Sequence, residues 1–296
     1  MKHLVTSGCS FTISDGNHPH GIGIGNRTWA WNLDDILKNI GYKFNFHNVG
    51  ISGGGNRIIS MNCIDTITSL LNDNVQPEEI FVIIQWSGLF RPCVYTDIST
   101  AERKIPFNEI HTTHSKLKDM DFSKATFIDT AGQISNHNPI WLNYLESYYS
   151  MPAAFVDTIE IILKTQWFLD SKKIKYKMFA GWDIFTTFYK KSGIFGSDKM
   201  VNVNQFGNEK YVNKKNVLLK DIYPYSDVLW DMVEWDNFWF FENDIVKYGG
   251  LTQWVQNNLE FQDWYVRYPR DPHPPSRAAK KFTEQVVLPI VLQNIN

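Results

Sequence analysis

The chain of 296 residues has few cysteines, and their spacing excludes two classes of stabilised domain. Cys9, Cys63 and Cys93 form no C-x-x-C pair. Three thiols cannot all be bridged, and a structural zinc site draws its four ligands from closely spaced pairs. The sequence therefore predicts free thiols in a reducing compartment, and a fold held by a hydrophobic core.

The chain also lacks a long apolar segment and an excess of one charge. No stretch approaches the ~18 apolar residues that predict a membrane span, and residues 1–7 (MKHLVTS) lack the apolar core of a signal peptide. The 29 basic and 31 acidic residues give a net charge of -2, which provides no positive surface for nucleic acid. We expect a cytoplasmic protein with no nucleic-acid or membrane partner. Later association with a phage particle released by lysis would fit the same features.

What the chain does have is the composition and periodicity of an α/β domain. With 43% hydrophobic and 20% charged residues it can bury a normal core. Apolar β-branched runs alternate with amphipathic segments, which indicates a parallel sheet flanked by helices. We predict one domain spanning 1–296, with irregular insertions at about 90–150 and 185–268. The predicted strands are 4–6, 44–49, 80–84 and 175–180, and the predicted helices are 28–40, 58–71, 157–169 and 276–292.

Small and polar residues follow three of these strands. Ser10 comes directly after the first strand in Gly8-Cys9-Ser10, Gly53 lies in a glycine-rich turn after the second, and Ser87 follows the third. Ligands of open parallel sheets bind beyond the carboxyl ends of the strands. A serine at such a place is most often a turn residue, and its hydroxyl needs a neighbouring base to act as a nucleophile.

A candidate base lies at the other end of the chain, in the segment 270–276 (RDPHPPS) before the last predicted helix. Prolines on both sides restrict the direction of His273, and Asp271 could set its tautomer. The alternative is a surface turn in which Ser276 caps the helix. His18 and His20 resemble a metal pair, but no further ligands follow at metal-like spacing, so we predict no metal and no cofactor.

Four short blocks, taken in order, resemble the SGNH (GDSL-like) hydrolase superfamily, as a divergent member of the kind that phages could encode. The blocks are Gly8-Cys9-Ser10, 48–53 (NVGISG), 85–91 (QWSGLFR) and 271–274 (DPHP). The resemblance implies a three-layer α/β/α sandwich of flavodoxin-like architecture, with a parallel sheet of about five strands. It also implies a serine esterase that hydrolyses a small ester, such as an O-acetyl group on a carbohydrate, through an acyl-serine intermediate.

Carried over by position, the same resemblance implies the role of each site residue. Ser10 would be the nucleophile, His273 its base and Asp271 the acid that orients the base. The backbone N–H groups of Ser10 and Gly53 would bind the oxyanion. Further candidates near the third block are the substrate-binding residues Gln85, Ser87 and Arg91.

The chain departs from the family pattern at three places. Cys9 replaces the usual aspartate, and one residue instead of the usual two separates Asp271 from His273. Leu89 stands where the third block of the family has an asparagine that donates to the oxyanion. We expect Asn56, or less favourably Gln85, to supply that donor, because developing negative charge needs several aimed donors.

Other functions fit the same sequence. The missing asparagine could mark an inactive binding or structural module, for example a virion component, and the acyl group could pass to a carbohydrate instead of water. A group of tryptophans could stack on sugar rings, but we favour a second small core because buried aromatic rings carry large apolar area. The group comprises Trp230, Trp235, Trp239, Trp254 and Trp264.

Overall fold

The computed structural model has α/β architecture with a central five-stranded parallel sheet, as predicted. It describes residues 2–13, 27–51, 53–89, 91, 93–96, 126–129, 150–190, 199–202, 217–223, 225–244, 246–260, 263 and 273–295. The strands of the central sheet are β1 (Lys2–Ser7), β2 (Phe44–Asn48), β3 (Ile80–Trp86), β6 (Lys175–Ala180) and β10 (Phe238–Trp239). Outside it lie β4 (Cys93–Thr96), β5 (Thr126–Asp129), β7 (Thr186–Lys190), β8 (Lys199–Asn202) and β9 (Val217–Leu218).

The order of the central strands is β2-β1-β3-β6-β10. Numbered along the chain, these five strands follow the order 2-1-3-4-5, which is the flavodoxin-like arrangement. Every residue of β3 is buried, as its continuous apolar run predicts for a strand covered on both faces. Separate antiparallel pairings join β4 to β5, and β7 to both β8 and β9.

Helices cover both faces of the sheet. The chain moves from β1 to β2 in one direction and from β2 to β3 in the other, so right-handed crossovers place the two connecting helices on opposite faces. They are α1 (Trp29–Asn39) and α2 (Asn56–Asn72). The second packs against α3 (Met151–Ser171), and the first packs against α6 (Ser276–Phe282). The result is a three-layer sandwich.

The remaining helical segments extend these two layers. A π-helical turn (Thr283–Val287) joins α6 to α7 (Leu288–Ile295). Of the two remaining helices, α4 (Ser226–Met232) packs on α3, and α5 (Leu251–Asn258) packs on α6. Short 3₁₀ turns occupy Pro77–Glu79, Leu219–Asp221 and Trp235–Asn237. Within the described ranges no helix is both long and apolar enough to cross a membrane.

The predicted irregular stretch at 185–268 contributes to the α/β core. It supplies the edge strand β10 and the helices α4 and α5. Periodicity missed these elements because a strand of two residues and helices of seven and eight residues are too short to repeat a pattern. For these described parts the prediction of irregular structure is wrong.

Most of the tryptophans of this stretch fill the core. Trp230 and Trp254 are each only 6% exposed, and Trp235 and Trp239 are half-buried. Phe185 is the centre of an aromatic cluster, with ring centroids 5.4–6.4 Å from those of Trp230, Trp235, Phe238, Phe240 and Tyr248. This packing favours a structural role over a sugar-stacking platform, but the rings join the main core of the protein and do not form the separate small core that we expected. Trp264 lies outside the described residues.

A buried carboxylate orders the loop after β6. Asp183 is 1% exposed, and its Oδ1 accepts hydrogen bonds from the backbone N–H groups of Phe185 (3.0 Å) and Thr186 (3.1 Å). Its Oδ2 accepts from the Thr186 hydroxyl at 2.6 Å. Burial raises the pKa of Asp183 to about 6, against the opposing effect of these three bonds.

We expect Asp183→Asn to stabilise the protein above pH 6. The pKa of Asp183 in the folded protein, about 6, exceeds its ordinary value of 3.8, so ionising this carboxyl is more costly in the folded than in the unfolded protein. The free energy of unfolding therefore falls as the pH rises from 3.8 to about 6. Asparagine keeps an acceptor at Oδ1 and loses the buried charge. The free energy of unfolding should rise by up to about 3 kcal/mol at pH 7.5, and the gain should shrink towards pH 4. Urea unfolding at both pH values measures this, and an equal difference at the two would contradict it.

Candidate active site

The loops that follow four central strands meet at one edge of the sheet. Ile51 N–H, after β2, donates to Gly8 O, after β1, at 2.8 Å, and Gly181 N–H, after β6, donates to Trp86 O at the end of β3 at 2.8 Å. The side chain of Asn48 adds a further link, since its Nδ2 donates to Thr12 O at 3.0 Å. The predicted turns are therefore held together where ligands of such sheets bind.

Ser10 and His273 are in contact although 263 positions separate them in the chain. Nε2 of His273 lies 2.6 Å from Oγ of Ser10, which is hydrogen-bond distance. Both residues are half-buried. The contact expected from the sequence is present, and it has the geometry in which an imidazole can take the hydroxyl proton.

Local structure fixes each member of this pair. Ser10 lies in a single helical turn, in which Cys9 O accepts hydrogen bonds from Thr12 N–H (2.8 Å) and Ile13 N–H (3.2 Å). His273 lies three residues before the first residue of α6, and its ring packs edge-on against Phe11 with centroids 5.0 Å apart. Asp271, the predicted orienting acid, lies outside the described residues, as do His18 and His20.

Two predicted oxyanion donors are backbone groups at this edge. Among the described residues, the N–H groups of Ser10 and Gly53 donate to no protein acceptor. Gly53 has φ of +74°, a conformation that glycine adopts without steric cost, and such a turn can direct its N–H outwards. The two groups are thus available to an incoming oxygen.

Asn56 does not have the free donor predicted for it. Its Nδ2 donates to Ser87 O at 3.1 Å and to Thr158 Oγ1 at 3.3 Å, which uses both amide hydrogens. Its Oδ1 accepts from Ser87 N–H at 2.7 Å. The side chain is 4% exposed and ties the start of α2 to the loop after β3. Asn56 therefore forms internal structural hydrogen bonds and is not the third oxyanion donor that we predicted.

Gln85 and Ser87, predicted to bind substrate, are both 0% exposed. Nε2 of Gln85 donates to Trp86 O at 2.5 Å, and its Oε1 accepts from Cys9 N–H at 3.3 Å and from Thr12 Oγ1 at 3.0 Å. Substrate contact is therefore ruled out for both in this conformation. Gln85 instead holds the turn that carries the nucleophile candidate.

The close approach of this glutamine depends on Gly8. A Cβ atom added there would lie 2.1 Å from Thr12 Oγ1 and 2.9 Å from Gln85 Oε1. Both neighbouring side chains are fully buried and hydrogen-bonded, so neither has space to move. Steric exclusion of a Cβ atom therefore explains why glycine occupies position 8, directly before Cys9 and Ser10.

We expect Gln85→Met to weaken both the fold and the site. It leaves the buried Cys9 N–H without an acceptor, which should lower the free energy of unfolding by about 2–3 kcal/mol. A shift of the Ser10 turn should also lower kcat/KM for a small ester by about tenfold or more. Urea unfolding and ester kinetics measure the two effects.

Gln166→Met is the matched control for this variant. Gln166 is equally buried, at 1% exposed, and exchanges two hydrogen bonds with the backbone of Glu234 (3.0 and 3.1 Å) away from Ser10. The Gln166→Met protein should be less stable than the wild type, while its kcat/KM stays within about twofold of the wild-type value. An equal loss of kcat/KM in both variants would contradict the positioning role of Gln85.

The sequence did not single out two aromatic residues that border the site. Phe11 packs edge-on against Trp182, with centroids 5.4 Å apart, and Trp182 lies beneath the guanidinium of Arg91, whose Cζ is 5.4 Å from its ring centroid. Arg91, a predicted substrate-binding residue, also donates to Gly54 O at 3.4 Å. The position of Trp182 two residues after β6 was the available signal.

The two cysteines whose side chains the structure describes, Cys9 and Cys63, are free, as expected. Cys9 and Cys63 are buried, and burial raises the pKa of the Cys63 thiol to about 12. Cys9, which stands where the family has aspartate, directs its Sγ at Gln85 Oε1 (3.3 Å). The described side chains include no cluster of three or more metal-ligating residues. No protein-family model matches the chain, and no curated protein matches it.

Proposed function

We propose that this protein is a serine esterase in which Ser10 is the nucleophile and His273 the general base. The observation that carries the proposal is the distance of 2.6 Å between Ser10 Oγ and His273 Nε2. It is supported by the position of the pair beyond the carboxyl ends of parallel strands, at the same edge as two backbone N–H groups that donate to no acceptor among the described residues.

In the proposed first half-reaction, Ser10 Oγ attacks the ester carbonyl carbon while its proton passes to His273 Nε2. The carbonyl oxygen becomes negative and accepts hydrogen bonds from the N–H groups of Ser10 and Gly53. The bond to the alcohol oxygen then breaks, and the imidazolium returns its proton to that oxygen. An acyl group remains on Ser10.

In the second half-reaction a water molecule takes the place of the alcohol. His273 accepts one proton from water as the resulting hydroxide attacks the acyl carbon. The tetrahedral intermediate collapses, the bond to Ser10 Oγ breaks, and the imidazolium returns its proton to the serine. The products are a carboxylic acid and the free enzyme.

The proposed substrate is a small ester, with an O-acetyl group on a carbohydrate as one candidate. Because most of the tryptophans that could stack on sugar rings lie in the core, the carbohydrate part rests on the family resemblance alone. A cytoplasmic location likewise stays a prediction from the sequence.

Labelling with a fluorophosphonate probe tests the proposal, because such probes react with an activated serine. We expect one modification, mapped by mass spectrometry to Ser10 and prevented by prior incubation with a substrate ester. No labelling, together with no turnover of short 4-nitrophenyl esters, would overturn the proposal and favour the binding module. Labelling with acyl transfer to an added sugar in preference to water would instead assign an acyltransferase.

A further inference from the structure

Arg91 has an unusual environment for an arginine of this protein. Among the described residues it contacts no carboxylate, and its half-buried guanidinium has one hydrogen bond, to Gly54 O. The other three arginines in the described ranges each pair with a carboxylate, namely Arg27 with Asp35, Arg57 with Asp157 and Arg277 with Asp263.

The nearest acidic residue along the adjoining loop does not compensate this charge. Asp183 follows Trp182, over which the guanidinium lies, but its carboxylate turns inward to Phe185 and Thr186. A guanidinium has five N–H donors in a fixed plane and remains protonated at all physiological pH values. Within the described part of the chain, most of the hydrogen-bonding capacity of Arg91 is therefore available to a ligand.

Packing holds Arg91 beside the candidate active site. Gly54, whose carbonyl it contacts, follows the oxyanion candidate Gly53. On the other side, Trp182 packs on Phe11, which in turn packs on His273. Gly88 allows the tryptophan to come this close, because an added Cβ would lie 2.8 Å from its ring.

We infer that Arg91 binds an anionic group of the substrate, a carboxylate or a similar oxyanion carried by the ester. The inference rests on the proposed esterase function and names the substrate class of the same site. A planar guanidinium on an aromatic face is weakly hydrated and matches a carboxylate with two parallel hydrogen bonds. The anion can belong to the acyl part or to the alcohol part of the ester.

Two pairs of esters test this and separate the two locations. The carboxylate 4-acetoxybenzoate is compared with its neutral isostere 4-acetoxybenzamide, and the 4-nitrophenyl monoester of adipate with that of adipamic acid, whose chains are too long for rapid cyclisation onto the ester. We expect the protein to prefer the carboxylate in one pair by about tenfold or more in kcat/KM, as a charge-assisted bond predicts. The neutral ester of each pair serves as the reference for effects on turnover itself.

The preference ratio, which is kcat/KM for the carboxylate divided by kcat/KM for the neutral ester, is then measured in two variants of Arg91 and in one control variant. Arg91→Met should bring the ratio down to about one, and Arg91→Lys should retain part of it, since lysine keeps the charge without the planar fork. Arg57→Met, which removes a nearby arginine already paired with Asp157, should leave the ratio within about twofold. Equal kcat/KM values in both pairs, or a ratio that Arg91→Met does not change, would overturn the inference.

Binding without turnover separates this inference from the esterase proposal. Calorimetry of the Ser10→Ala protein with 4-acetoxybenzoate, 4-acetoxybenzamide and the two monoesters measures affinity alone. Tighter binding of a carboxylate that disappears in Ser10→Ala/Arg91→Met would support the anion site even if no ester were hydrolysed. Equal affinity for carboxylate and amide in both pairs would overturn it even if the wild-type protein were an active esterase.

Discussion

Replacing Ser10 by alanine is expected to lower kcat/KM for 4-nitrophenyl acetate by about 10⁴-fold or more. Without the hydroxyl there is no acyl intermediate, and only the remaining hydrogen-bond donors of the site can assist attack by water. The fold should persist, because the residue is half-buried in a loop and the change removes one hydrogen bond, to His273. Initial rates and a urea unfolding curve measure the two properties.

Ser171→Ala is the control for this variant. Its hydroxyl donates to Phe168 O at the exposed end of α3, which leads into the amino end of β6 at the opposite edge of the sheet from Ser10, so the rate should be unchanged. If Ser10→Ala retained more than about 1% of the wild-type kcat/KM while correctly folded, the assignment of the nucleophile would be wrong.

Replacing His273 by alanine is expected to lower kcat/KM by about 10³-fold or more, because the Ser10 hydroxyl then lacks a base. The decisive measurement is the double variant Ser10→Ala/His273→Ala. Residues that act as one catalytic unit are strongly non-additive, so the double variant should be no slower than the slower single variant.

His3→Ala is the matched control for the loss of the histidine. His3 lies near the amino end of β1, at the opposite edge of the sheet from Ser10, and its ring stacks on His47. It should hydrolyse the ester at nearly the wild-type rate. Additive losses from Ser10→Ala and His273→Ala would mean that the two residues contribute separately, against the proposed mechanism.

The proposed oxyanion site differs from the one expected by analogy. Asn56 and Gln85 both use their side-chain amides inside the protein, one to join α2 to the loop after β3 and the other to hold the turn of Ser10. The proposed site therefore relies on the N–H groups of Ser10 and Gly53. Each donor of this kind contributes about 10²-fold or more to turnover, so a site with two is expected to be a modest catalyst.

The sequence was sufficient for the class of fold and for the central pair of residues. The apolar β-branched run that forms β3 and the repeating strand–helix pattern determined a parallel sheet, because such runs are stable only when both faces are covered. The short blocks around Ser10 and His273 pointed to a contact across 263 positions, which the structure contains. These features are local in the sequence, so residue type and spacing carried the information.

Tertiary structure decided which polar side chains remain available to a ligand. The sequence shows that Asn56, Gln85, Ser87 and Arg91 can donate hydrogen bonds, but not which acceptors lie beside them. Packing surrounds the first three with interior partners or neighbours, and Arg91 is half-buried with no carboxylate beside it among the residues that the structure describes. A buried polar group bonds to whatever distant segment the fold brings near, so its role depends on contacts that residue order alone does not specify.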